Sequence, residues 1–139
     1  MNKSILLVED DPDDQVLTVR SLRKSRGIKE VLVANNGVEA LSILASIEEG
    51  CLPVLVLLDL KLPKMDGLEV LRQIRASERT RYLPVVIMTS SREERDLSAC
   101  YANGANSFVQ KPVDYDAFTE AVHQLGTYWF EVNCEPPCR

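Results

Sequence analysis

No block of basic residues occurs anywhere in these 139 residues, and the formal net charge is −5. Proteins that grip a nucleic-acid backbone need clustered Lys and Arg, so a nucleic-acid partner is not expected. The most basic stretch, Arg20, Arg23, Lys24 and Arg26, reads as a solvated helix face, because such side chains are mostly exposed. No apolar run approaches the roughly 20 residues a membrane helix needs. No signal peptide opens the chain, since Met1-Asn2-Lys3 leads into only a few apolar residues before Glu9. A cytoplasmic protein with reduced thiols and no membrane partner is expected. The only histidine is His123, read as a surface or interface residue, because a relay histidine belongs exposed on a kinase-type helical bundle. Of the four cysteines, Cys134 and Cys138 lack the second Cys or His pair that structural zinc requires. Cys100 reads as a small helix-packing residue.

What is present is a regular alternation. Short apolar runs at 4–8, 30–34, 54–58, 84–88 and 106–109 read as strands. The first, third and fourth are apolar throughout, as strands buried on both faces are; Val31-Leu32-Val33 is shorter and fits an edge. Amphipathic stretches separate them. The first helix starts at Asp11-Pro12, an acidic cap followed by proline at the first helical position, and presents Val16, Val19 and Leu22. The second follows Asn36-Gly37 and presents Val38, Leu41, Leu44 and Ala45. The third follows Asp66-Gly67 and presents Leu68, Leu71 and Ile74. The fourth, about 92–102, is thinly apolar, with Leu97, Cys100 and Tyr101. The fifth follows Asp114 and presents Phe118, Ala121, Val122 and Leu125. Five strand–helix repeats in one domain-sized chain imply an α/β fold, a doubly wound parallel sheet. After Leu125 come three adjacent aromatics, Tyr128-Trp129-Phe130. They cannot share one helix face, so some must pack back on the domain or meet a partner.

The chemistry-bearing residues sit where the strands end. Glu9 and Asp10 follow the first strand, Asp59 the third, Thr89 the fourth and Lys111 the fifth. In a parallel sheet these ends share one edge, which is where open α/β sheets bind ligands. Three carboxylates in one crevice repel one another and raise at least one pKa. A hard cation such as Mg²⁺ removes that conflict. Asp59 is then a candidate nucleophile, since carboxylates form acyl phosphates, with Lys111 and Thr89 placed to stabilise the transferred group. Taken singly, each residue has a plainer reading as a cap, a turn residue or a solvated lysine. Four strand ends supplying complementary chemistry together favour the site.

The ordered set Ile5-Leu6-Leu7-Val8-Glu9-Asp10-Asp11, Leu57-Leu58-Asp59-Leu60-Lys61-Leu62-Pro63, Met65-Asp66-Gly67, Pro84-Val85-Val86-Ile87-Met88-Thr89-Ser90 and Lys111-Pro112 resembles the receiver domain of two-component response regulators. The resemblance covers about residues 3–126. It implies a five-stranded flavodoxin-like sheet in the order 2-1-3-4-5, with Asp59 as phosphoacceptor from a partner histidine kinase. It implies a Mg²⁺ cofactor held by Glu9, Asp10, Asp59 and the backbone carbonyl of Lys61, with Glu9 acting through water. It further implies Lys111 pairing with the phosphoryl group, a cis Lys111–Pro112 bond, and Thr89 and Phe108 as switch residues. Phenylalanine at 108 leaves a readout by packing alone. Lys61 and Ser91 stand where the family tunes dephosphorylation. On this reading 1–126 is the receiver and 127–139 an extension with no output domain. The chain is then a phosphoacceptor that assists its own phosphorylation and dephosphorylation, and it signals to another protein through the fourth helix, fifth strand and fifth helix. The tail resembles single-domain regulators that pair with phytochrome-type histidine kinases, some of which form homodimers.

Other functions leave traces that are missing. A small phosphohydrolase with an aspartyl-phosphate intermediate needs a carboxylate two residues after the nucleophile, where Lys61 stands. A nucleotide-binding domain needs a glycine-rich loop after the first strand, where Glu9-Asp10-Asp11 stands. A phosphorylation-independent module of the same fold stays open, although an intact acid set speaks against it.

Overall fold

A computed structural model describes residues 3–48 and 50–136. Five strands, β1 (Lys3–Val8), β2 (Ile28–Ala34), β3 (Leu55–Leu58), β4 (Val85–Thr89) and β5 (Ser107–Gln110), form one sheet in the order β2-β1-β3-β4-β5. Every pairing is parallel. Five helices alternate with them: α1 (Pro12–Leu22), α2 (Gly37–Ser46), α3 (Gly67–Ala76), α4 (Glu94–Ala102) and α5 (Tyr115–Thr127). Asp11, Asn36, Asp66 and Asp114 cap four of them by accepting backbone N–H groups. This satisfies donors that a helix start leaves free, at about 1 kcal/mol per cap.

Strand side chains alternate between faces, and the core divides accordingly. Leu6, Val8, Val56, Leu58, Val85 and Ile87 meet α2, α3 and α4 through Ala40, Leu44, Val70, Leu71, Ile74 and Cys100. Ile5, Leu7, Leu55, Leu57, Val86 and Met88 meet α1 and α5 through Leu22, Phe118 and Val122. The three central strands are thus buried on both faces. Full burial of each large aliphatic side chain is worth about 1.5–3 kcal/mol. Among the described residues no helix is long and apolar enough to cross a membrane.

Two helix faces differ from the expected ones. In α1 the expected Leu22 is buried and Val19 partly so, but Val16 is half exposed and Thr18 and Ser21 are buried in its place. The reason is α5: Ser21 Oγ donates to Thr119 O at 2.8 Å, and small side chains let the two helices approach. In α2 the expected Leu44 is buried and Leu41 packs partly against the core, but Gly37 and Ala40 take the inward places expected of Val38 and Ala45. Val38 and Ala45 are exposed. A side chain at Gly37 would press on Met65 and on Val70 Cγ2, 2.6 Å away, so close contact with α3 sets the rotation of α2.

Past α5 the chain widens into a π-helical turn, Tyr128–Val132. Phe130 is buried against the α1/α5 core, Trp129 lies partly against it, and Tyr128 is exposed. The three aromatics do split between core and surface. Lys3 Nζ donates to Phe130 O at 2.7 Å and pairs with Glu135 at 3.5 Å, tying this turn to the start of β1.

Candidate functional site

Backbone hydrogen bonds continue the ladder just beyond the strands and fix each functional residue. Glu9 N–H donates to Ala34 O (3.0 Å), Asp59 N–H to Val8 O (3.1 Å) and Lys111 N–H to Thr89 O (2.7 Å). Gly67, at the start of α3, seals the notch from behind. A Cβ there would strike the Asp59 carbonyl and lie 2.8 Å from Leu60 Cα, so only glycine lets α3 begin against the β3 terminus. The result is a cluster in which carboxylate oxygens of Glu9, Asp10 and Asp59 all lie within 4.8 Å of one another. Lys111 Nζ reaches into it, 2.5 Å from Glu9 Oε1, 2.9 Å from Asp14 Oδ2 and 3.1 Å from Asp59 Oδ2.

The charges do not balance. Glu9 and Asp59 are almost fully buried while Asp10 is exposed. Burial pushes the Glu9 carboxyl up to about 7; the hydrogen bond and charge of Lys111 oppose the rise, and the Asp59 charge adds to it. For Lys111, burial alone would lower the pKa. The hydrogen bond to Glu9, the Asp59 charge and the hydrogen bond to Asp14 outweigh it, and the ammonium is held well above its ordinary value. One cation therefore faces four carboxylates. The surplus negative charge and the hard oxygen donors fit a divalent cation of the Mg²⁺ or Mn²⁺ type. The Asp59 carboxylate, beside an ammonium and facing the open edge, is arranged to receive an electrophile.

The response regulator receiver domain family matches residues 5–123. This chain belongs to that family. Response regulator Rcp1 of Synechocystis is 34% identical over 137 residues, covering 96% of this chain and 93% of Rcp1. Its Mn²⁺-bound structure superposes on this receiver with a TM-score of 0.88 at 33% identity, covering 97% and 99% of the two chains. The phosphorylated cyanobacterial phytochrome response regulator RcpA gives a TM-score of 0.92 at 31% identity, covering 99% and 100%. The bacteriophytochrome response regulator AtBRR is 47% identical with a TM-score of 0.73, covering 96% and 99%. The receiver fold expected from the sequence, with its 2-1-3-4-5 order, is the one found.

The remaining expected site residues lie around the notch rather than in it. Thr89 ends β4 fully buried. Its Oγ1 accepts from the Ser91 N–H at 3.3 Å, and among the described residues it makes no hydrogen bond to Asp59. Ser91 Oγ in turn donates to Asp96 of α4 at 2.5 Å. Phe108, on β5, is half-buried against the α2/α3/α4 core. The Lys61 N–H points at Asp59 Oδ1 over a long 3.4 Å. The expected cis bond is not found: Lys111–Pro112 is trans, and no described peptide bond is cis. Trans is the isomer X–Pro bonds favour by about 0.5–1 kcal/mol, and from it Lys111 already reaches all three carboxylates. Asp14 is the site residue that sequence reasoning missed. An acid in a first helical turn is ordinarily a partner of the helix dipole. The signal was its place on the turn that immediately follows the first strand end. For Cys134 and Cys138 the structure describes only Cys134, an exposed free thiol; Cys138 lies outside the described residues.

Proposed function

We propose that this receiver accepts a phosphoryl group on Asp59 from a phosphohistidine of a partner histidine kinase, with Mg²⁺ held by Glu9, Asp10, Asp59 and the Lys61 backbone carbonyl. The observation that carries this reading is the meeting of Lys111 Nζ with Asp59 and Glu9 inside a trio of carboxylates. An Asp59 oxygen attacks phosphorus, the P–N bond breaks, and the imidazole nitrogen leaves with the bonding pair. When bound, the cation supplies positive charge to the phosphoryl oxygens. Lys111 supplies it from the other side, and the buried β1 and β3 ends keep Asp59 aimed. The test is labelling by acetyl phosphate with Mg²⁺. The native protein should label to about one group per chain and Asp59→Asn should not, whereas stoichiometric labelling of the Asn variant sinks the assignment.

The Thr89 hydroxyl is proposed to turn from the Ser91 N–H toward the phosphoryl oxygens, with Phe108 repacking behind it. Hydrogen bonds from Thr89 and Lys111 to a charged group, at about 1.5–3 kcal/mol each, together match the roughly 5.5 kcal/mol needed to invert a 1:99 equilibrium. The signal then leaves through α4, β5 and α5 to a downstream protein. Residues 1–126 act as the receiver and 127–139 as an extension of it. The chain also assists its own dephosphorylation, at a rate that Lys61 and Ser91 adjust. It works in the cytoplasm and pairs as a homodimer. The likeness to RcpA and AtBRR supports a phytochrome-type kinase as donor. Phosphotransfer from a set of purified kinases checks this, and a donor that lacks the phytochrome architecture yet outpaces the others would overturn it.

A further inference from the structure

We propose that Asp14 is a positioning residue: it keeps the Lys111 ammonium at the notch when a divalent cation takes Glu9 and Asp59, and so strengthens cation binding. The inference rests on the reading of Glu9, Asp10 and Asp59 as the cation site. A lysine ammonium has three donors, and here each has a carboxylate: Glu9 at 2.5 Å, Asp14 at 2.9 Å and Asp59 at 3.1 Å. Two of these partners belong to the oxygen cluster and are contested when a cation arrives. Asp14 stands outside that cluster and is not contested. The Lys111 side chain is only 11% exposed, and a buried cation stripped of its partners is strongly unfavourable. Without Asp14, Lys111 must either remain on Glu9 and Asp59 and exclude the metal, or surrender them and stand unpaired. With Asp14, one charged partner remains. The acid is itself held in place, since α1 begins two residues earlier and the Asp14 N–H donates to the Asp11 cap at 3.3 Å.

A neighbour provides the control. Asp13 carries the same charge in the same helical turn and is exposed, with no contact to Lys111. Titration calorimetry with Mg²⁺ alone, on the full chain, decides the matter. Asp14→Ala should weaken binding about tenfold, as expected for groups coupled through a shared partner, and Asp13→Ala by no more than about twofold, as for a screened surface charge. In a Lys111→Ala background the Asp14→Ala loss should shrink to about twofold or less, because the group it serves is gone. An Asp14 loss as large or larger without Lys111, or an equal loss from Asp13→Ala, would show that only bulk charge matters and would overturn the proposal. Native protein that binds no Mg²⁺ would instead overturn the cation site itself. Failure of Asp59 to label with acetyl phosphate would leave this cycle readable. Thermal melts of each variant without metal confirm that the compared chains are folded.

Discussion

The two ends of the sheet each hold one partly buried cation, and they treat it in opposite ways. At the end where the strands begin, Arg75 of α3 donates to Gly104 O (2.9 and 2.8 Å), Leu83 O (2.7 Å), Arg81 O (3.2 Å) and Asn106 Oδ1 (2.9 Å). All its partners are neutral, and burial lowers its pKa, though a guanidinium stays charged in proteins. At the end where the strands finish, Lys111 meets three carboxylates with Asp10 beside them. Arg75 is satisfied by the chain it folds with, and it clasps α3 to the turns that start β4 and β5. Lys111 sits in a surplus of negative charge that the chain alone cannot relieve. A polar cluster that closes on itself is scaffold. One that leaves charge over is poised for something from outside.

That contrast breaks most easily at Arg75. Arg75→Ala removes the clasp and leaves several carbonyls short of a donor, so stability should fall by about 2–4 kcal/mol in urea unfolding. Mg²⁺ affinity of the folded fraction should stay within about twofold, because nothing at the far end has changed. A tenfold change in affinity would mean that the two ends are coupled and the division is false. Glu9→Gln should do the reverse. It should cost at least about tenfold in Mg²⁺ affinity, since it removes one of the carboxylates that a hard cation needs. It should also raise the stability of the metal-free protein at pH 8 by about 1–2 kcal/mol, because a buried charge disappears. Loss of stability in that variant would place Glu9 with the scaffold.

The same surplus gives a pH dependence whose sign is fixed. The folded metal-free chain holds the Glu9 proton up to about 7, against an ordinary value of 4.5. Between these values the folded state binds more protons than the unfolded state. The stability this group contributes is therefore complete below about 4.5 and is lost as pH rises through 7. Cation binding runs the other way, because the ligand must be deprotonated. Mg²⁺ affinity should climb by up to about tenfold per pH unit below 7 and level off above it. In Glu9→Gln the slope should flatten, and an unchanged slope would assign the proton to another group.

The sequence marked the acid notch more sharply than it marked the helix faces, and the reason is physical. A carboxylate at the end of an all-apolar strand has one place to be once the sheet is parallel, so Glu9, Asp59 and Lys111 were legible from strand ends alone. Thr89 was legible as a strand end, but its present partner, the Ser91 N–H, depends on loop geometry that no spacing encodes. Leu22 and Leu44 were legible on α1 and α2, but the rest of each face is turned by about one residue, because periodicity weights Val16 and Val38 above Ser21, Gly37 and Ala40. Close approach of helices selects small residues, and smallness looks neutral on a hydropathy pattern. Asp14 escaped for a related cause, since acids in a first helical turn are common for reasons of the dipole and only the fold reveals which one meets a lysine.

The smallest expected effect lies between the two ends, on α4. Cys100 is the only residue this helix buries. Burial first, and the Asp96 charge second, push its thiol up to about 11. At pH 8 only about one thiol in a thousand would be thiolate. Iodoacetamide at that pH should therefore modify the exposed Cys51 and Cys134 and leave Cys100 intact, as read by peptide mass mapping. Asp96→Asn removes the lesser cause and leaves Ser91 Oγ a neutral amide acceptor in place of the carboxylate, so Cys100 labelling should rise by no more than about threefold, the order expected of a partly screened charge. The native thiol is the sharper probe. If Cys100 labels as fast as Cys51, α4 must detach from the sheet on the timescale of alkylation even without a phosphoryl group.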